Sequence, residues 1–319
     1  MVSFRDLETA LRHGLSNPTT QQLRLLAVLA ALVSVYGLNS TLNARSLSNL
    51  SKARTWNWRK EIILITGGSS RIGELVVRRL AKRGIRVVVL DVVEPSTPFP
   101  SNVYFFKADI TSPDAVRDVA AAIRQDVGEP TVLINNAGIA TMRTILDQTN
   151  TETQRTFEMN AISLFTLARE FLPHMIKHDH GHIITVASMA SFFTCAANVD
   201  YSCTKAAALA FHEGLTQELR HRYNAPHVRT SILHPIWART PMIESLYQGR
   251  KFPDTLVEAS VVADAIVAQV LQGKSDQVIV PGRLSFGSMI RAFPTWLQEI
   301  LRDSRAQLLP GRDRPHAAS

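Results

Sequence analysis

The chain has 319 residues, 45% of them apolar and 19% charged, which supports one large core with extensions and excludes global disorder. Its 15 Gly and 15 Pro exclude collagen-like and low-complexity chains, and two cysteines, Cys195 and Cys203, exclude a disulfide framework or a four-thiolate zinc site. The net charge of +8 is uneven, with eight basic and two acidic residues in positions 1–60; a nucleic-acid face would carry its charge on the folded domain, so no nucleic-acid partner is expected.

The first apolar run is 25–38, LLAVLAALVSVYGL, with no charge. A full span wants about 20 residues, so the options are a short transmembrane helix, a monotopic insertion or a buried helix. Membrane attachment is the preferred reading, because no neighbouring element would cover the run. Arg45, Lys52, Arg54, Arg59 and Lys60 follow without any acid, as a collar at a lipid surface does. Trp56 and Trp58 read as interfacial anchors, with ordinary packing as the alternative.

From Glu61 the pattern alternates. Strands are expected at 61–66, 85–90, 103–107, 131–134, 182–187, 228–233 and 277–280. Helices are expected at 72–83, 113–127, 152–177 (interrupted by Pro173), 201–222 and 261–272. That alternation implies a parallel sheet covered on both faces, an α/β architecture of about seven strands. Residues 285–301 carry apolar side chains three and four apart, an amphipathic stripe broken by Pro294 that packs on the domain or faces lipid or substrate. Beyond Arg302 a polar, disordered tail is expected. The organisation is therefore 1–42 with the anchor, 43–60 as basic linker, 61–284 as nucleotide-binding domain and 285–319 as amphipathic stretch and tail.

Thr66-Gly67-Gly68-Ser69-Ser70-Arg71-Ile72-Gly73 follows a strand and opens a helix, and Asp91 ends the next strand. Glycines there let backbone approach a pyrophosphate at the helix N-terminus, and a carboxylate about 20 residues on binds ribose hydroxyls. These residues resemble the short-chain dehydrogenase/reductase family, whose fingerprint is T-G-x-x-x-G-x-G. Asn135-Asn136-Ala137-Gly138 resembles its N-N-A-G. Tyr201-Ser202-Cys203-Thr204-Lys205 is its Y-x-x-x-K, with Ser188 and Asn160 upstream.

The resemblance covers about residues 60–282 and implies a Rossmann-type doubly wound sheet. It implies cofactor contacts from Gly67, Ser69, Arg71, Ile72 and Gly73 at the phosphates, and from Asp91 at the ribose. Asp109 and Ile110 would lie at the adenine, Asn136 and Gly138 along the strand exit, and Tyr201 and Lys205 at the nicotinamide ribose. Pro235, Ile236 and Thr240 would meet the carboxamide. Two positions depart from the pattern: Arg71 replaces the middle glycine, and Ile236 replaces the glycine of P-G. Both bear on cofactor affinity.

Tyr201 and Lys205 are four apart, hence on one helical face. A free tyrosine has a pKa near 10. A nearby ammonium, with an oxidised nicotinamide, is expected to lower it, so that Tyr201 exchanges a proton with an alcohol or carbonyl oxygen. By resemblance Ser188 holds the same oxygen and Asn160 holds a water linked to Lys205. His174, His178, His180 and His182 resemble metal ligands but precede a strand, at the wrong edge of such a sheet, so no metal is expected.

The anchor, the collar and His234-Pro235-Ile236-Trp237-Ala238-Arg239-Thr240 resemble the membrane- and lipid-droplet-associated branch of retinol and hydroxysteroid dehydrogenases. That implies hydride transfer between a nicotinamide cofactor and an apolar alcohol or ketone: retinoid, steroid, fatty alcohol or ketolipid. NAD(H) is favoured by Asp91, and NADP(H) is the alternative through Arg71. The expected site of action is the endoplasmic reticulum or a lipid droplet with the catalytic domain cytosolic, and a homodimer is open. The rivals are a non-catalytic membrane protein keeping the fold and a soluble biosynthetic ketoreductase.

Overall fold

The computed structural model describes residues 20–49, 51, 55–240, 243–244, 252, 254, 256–306 and 308–309. They fall into two compact units that divide after Leu50. In the first, helix α1 (Thr20–Leu47) runs for 28 residues with no buried side chain. It extends well past the expected 25–38, because 39–44 carry no charge and their polar side chains can bond within the helix; Thr41 Oγ1, for example, donates to Gly37 O at 2.8 Å. No charge lies between Arg24 and Arg45, a stretch of 20 residues, so α1 is long and apolar enough to cross a membrane.

The second unit is built on strands β1 (Ile62–Thr66), β2 (Arg86–Asp91), β3 (Val103–Lys107), β4 (Val132–Asn135), β5 (Gly181–Val186), β6 (Val228–Pro235) and β9 (Asp276–Val280). All pairs are parallel, in the order β3-β2-β1-β4-β5-β6-β9. Every residue of β1 is buried, as a strand covered on both faces requires. Its alternating side chains feed two cores. Ile62 and Leu64 face helices α3 (Pro113–Asp126), α5 (Ser163–His178) and α6 (Val199–His221), which bring Ile123, Phe171 and Leu215. Ile63 and Ile65 face α2 (Arg71–Ala81) and α7 (Ala259–Gln272), which bring Leu80 and Ile266. The seven strands and their helices stand within one or two residues of the expected bounds.

Four details differ. The expected helix 152–177 is α4 (Asn150–Phe157), a π-turn (Glu158–Ile162) and α5, which continues through Pro173. Pro173 is exposed beside exposed Arg169, so the carbonyl it leaves unbonded faces water. A short parallel pair, β7 (Ala238–Arg239) with β8 (Val257–Glu258), was not expected. Trp56 and Trp58 are not interfacial anchors: they stack at 5.1 Å against the α2/α7 core, and Trp56 Nε1 donates to Gly273 O. The chain beyond Arg302 is ordered where it is described: α8 (Thr295–Asp303) ends there, and Leu308 and Leu309 are 5% and 3% exposed.

The stripe at 285–301 splits around Pro294. Ile290, Phe293 and Leu301 pack against Phe192, while Phe286, Met289 and Ile300 are exposed.

Candidate active site

The order of the sheet reverses between β1 and β4, the place where open α/β sheets bind ligands beyond their carboxyl ends. The Gly-rich turn lies there, tied from both sides. Gly67 N–H donates to Leu90 O, and Asn136 Nδ2 donates to Thr66 O and Gly67 O. Thr66 Oγ1 accepts from the N–H groups of Asn136 and Ala137. Gly67 takes φ +66°, and a Cβ on Gly73 would stand 2.0 Å from Gly67 O, so neither position admits a side chain.

Helix α2 begins at Arg71 without a side-chain cap from Ser70, which leaves its first N–H groups for an anion. The Ser69 hydroxyl is buried and finds no partner among the described residues. This orphaned donor beside an uncapped helix end fits a dinucleotide pyrophosphate. Asp91 accepts from Ser69 N at 2.9 Å and from Val93 N at 3.2 Å, which fixes its carboxylate at the rim of the turn. Ile72 packs on the α2/α7 core, and the Arg71 guanidinium pairs with Glu244 at 3.3 Å.

Asp109 accepts from Thr111 N, Thr111 Oγ1 and Arg155. Burial alone would raise its carboxyl, but these bonds outweigh it and hold the group below its ordinary value. Ile110 is buried in the core behind it. The Ile236 N–H donates to Val280 O at 2.9 Å. Pro235 O accepts from Ser188 Oγ at 3.4 Å. Thr240 is described and half-buried, but residues 241–242 and 245–251 of the adjoining loop lie outside the described set.

The four residues expected at the reacting end converge. Tyr201 and Lys205 occupy the first two turns of α6, with the Lys205 ammonium 5.4 Å from the Tyr201 ring centre and donating to Val186 O at 2.9 Å. Ser188 follows β5, and its hydroxyl acts on the Tyr201 phenol in the direction that favours ionisation. Asn160 sits in the π-turn, an element frequent at functional sites. Its Oδ1 accepts from Ile139 N, and its Nδ2 donates to Ile139 O and Thr204 Oγ1. A Cβ on Gly138 would lie 3.2 Å from Asn160 Oδ1 and 3.5 Å from Lys205 Nζ, so the glycine lets this strand exit approach both.

Burial pushes the Tyr201 phenol up to about 12, against the effect of Ser188, and pulls Lys205 down to about 8. The expected lowering of Tyr201 is therefore absent in the protein alone: the ammonium is directed at Val186 O and does not offset desolvation.

Sequence reasoning placed His234 only in a branch motif and gave it no role at the site. Its ring is buried, 4.6 Å from Phe192, and Nδ1 donates to Ser188 O at 3.0 Å. Burial lowers its pKa to about 4, so it is neutral and props the Ser188 backbone. The signal was the His-Pro pair itself, a polar ring at the end of a buried strand.

An apolar cluster forms beyond the carboxyl ends of the same strands, built from Met142 after β4, Cys195 and Ala197 after β5, and Ile243 and Phe252 after β6. The four histidines lie at the other edge. His182 bonds Ser231, His180 bonds Glu61, and the His174 and His178 rings lie 4.2 Å apart, tilted by 34°. Among the described residues no group of three or more His, Cys, Asp or Glu converges on a metal position. Cys203 is exposed, and burial pushes the Cys195 thiol up to about 11.

Known proteins resemble the chain over this region. It is 41% identical over 203 residues to dehydrogenase RED2 of Cochliobolus heterostrophus, covering 63% of this chain and 77% of that one. It is 28% identical over 254 residues to estradiol 17-beta-dehydrogenase 11 of Rattus norvegicus, covering 76% and 83%. A 3-ketoacyl-(acyl-carrier-protein) reductase from Brucella melitensis, solved with NADH, shares the fold with a TM-score of 0.61 at 22% identity, over 71% of this chain and 99% of its own. The family model for short chain dehydrogenases matches residues 61–251, which hold the Gly-rich turn, the N-N-A-G exit and the Tyr-Lys helix. The chain thus belongs to the short-chain dehydrogenase family, NAD(P)-binding oxidoreductases that act on CH–OH groups.

Proposed function

We propose that the chain is a membrane-attached dehydrogenase or ketoreductase for an apolar alcohol or ketone of steroid, retinoid or fatty-alcohol type, working with NAD(H). The observation that carries this reading is the convergence of Asn160, Ser188, Tyr201 and Lys205 at the carboxyl ends of strands that also carry an apolar cluster. The bound nicotinamide supplies or accepts the hydride. Ser188 and Tyr201 hold the substrate oxygen, and the Tyr201 hydroxyl exchanges its proton with that oxygen. Lys205 stabilises the phenolate as it forms, and Asn160 fixes the strand exit beside Lys205. The steroid named for estradiol 17-beta-dehydrogenase 11 is an apolar alcohol of the kind this cluster suits.

Helix α1 supports attachment to a membrane, and the five basic residues that follow 25–38 support a cytosolic catalytic domain at the endoplasmic reticulum or a lipid droplet. Exposed Ile162 and Phe165, one turn apart, support a homodimer.

The decisive variant is Tyr201→Phe, which keeps the ring and removes the proton-transfer hydroxyl. The expected result is a loss in kcat of about 100-fold or more, the scale of general acid–base catalysis, with dinucleotide affinity within about twofold of wild type. Turnover retained in this variant would refute the mechanism.

A further inference from the structure

We infer that Leu308 and Leu309, beyond the last helix, form the outer wall of the substrate site and set its preference for long apolar substrates. The inference rests on the proposed reading of the site.

Both side chains are almost fully buried, in a single cluster with Met142, Cys195, Ala197, Ile243 and Phe252. The cluster's position is set by the reacting groups. Met142 is four residues beyond Gly138, and Ala197 is four before Tyr201. Thr141 Oγ1 donates to Asp200, the neighbour of Tyr201, and so draws the two segments together. The cluster therefore lies on the carboxyl side of β4, β5 and β6, where a substrate must reach Ser188 and Tyr201.

Among the described residues, none of the other members comes from the chain beyond α8. Leu308 and Leu309 are the contribution of a separate segment laid over the exits of three strands. That segment is also held at the edge of the cluster: Arg305 pairs with Asp254 at 3.4 Å, and its guanidinium lies 5.7 Å over the Phe193 ring, which packs on the cluster. A short alcohol engages Ser188 and Tyr201 without reaching this wall, whereas a long one must lie along it. The segment thus reads substrate length while leaving the chemistry to the groups beneath.

The test uses the full chain in detergent, with dodecan-2-ol and butan-2-ol as substrates and calorimetry as a check on folding. In Leu308→Ser/Leu309→Ser, kcat/KM for dodecan-2-ol should fall about tenfold or more, within the range that apolar pockets discriminate. For butan-2-ol it should stay within twofold, and dinucleotide affinity should not change. Should that variant fail to fold, Leu308→Trp keeps the site apolar and narrows it, and KM for dodecan-2-ol alone should rise. An equal fall on both alcohols, no fall, or a gain with dodecan-2-ol would overturn the inference. A wild-type chain that binds dinucleotide and oxidises neither alcohol would overturn the proposed activity instead.

Discussion

Arg71 stands where the family fingerprint has its middle glycine, and its guanidinium is met by Glu244. The two side chains are 49% and 44% exposed, and an ion pair in that setting contributes about 1 kcal/mol at most. Arg71 can therefore be drawn to a phosphate at little cost. Asp91 is different: two backbone N–H groups fix its carboxylate beside the turn, so a 2′-phosphate placed there meets a fixed negative charge. Asp91 should dominate, and wild type should use NAD over NADP by about tenfold or more in kcat/KM. Glu244→Gln frees Arg71 and should narrow that ratio by about fivefold, the equivalent of about 1 kcal/mol. Steady-state kinetics with both cofactors checks this; a wild-type preference for NADP would mean that Arg71, not Asp91, sets selectivity.

At the scale of elements, the segment before β1 works as a clasp. Trp56 stacks on Trp58, lies 4.4 Å from His180 and donates to the carbonyl of Gly273, which ends α7 at φ +58°. Below it, Glu61 accepts from Thr131 Oγ1 and His180; burial alone would raise its carboxyl, and these bonds hold it below its ordinary value. The clasp joins the entry of β1, the entry of β5 and the exit of α7. Trp56→Ala should therefore destabilise the domain by about 2–4 kcal/mol while leaving membrane partitioning unchanged. Thermal unfolding together with carbonate extraction separates this from an interfacial anchor, whose loss would release the protein instead. The clasp was not legible in the sequence because two Trp among basic residues fit a membrane interface and a core equally well. The strands were legible because each is a buried apolar run ended by turn residues. The reacting residues were legible because Tyr201, Lys205, Ser188 and Asn160 keep a fixed order along the chain. His234, Leu308 and Leu309 escaped because their roles depend on contacts between segments far apart in sequence, which carry no periodic signal.

The whole domain carries a pH limit written into its interior. His182, His212 and His234 are buried, and burial lowers them to about 3, about 4 and about 4 from an ordinary 6.5. The folded domain refuses protons that the unfolded chain accepts, so stability is full above pH 6.5 and falls as pH drops toward 4. The slope is at most about 1.4 kcal/mol per pH unit for each histidine. At pH 5 the three together cost up to about 6 kcal/mol, against a total of about 5–15 for a typical domain. Glu61 and Asp109, whose ordinary values are 4.5 and 3.8, are depressed carboxylates and withdraw their contribution only below that range. The loss between pH 6.5 and 5 therefore belongs to the histidines. Urea unfolding of the detergent-solubilised chain should show the midpoint dropping steeply across that interval. In His182→Gln one of these refused protons is gone, and the slope should flatten by up to about a third, His174 also being lowered by burial. A midpoint constant from pH 7 to 5 would mean that the interior admits these protons, with water or a carboxylate reaching the rings.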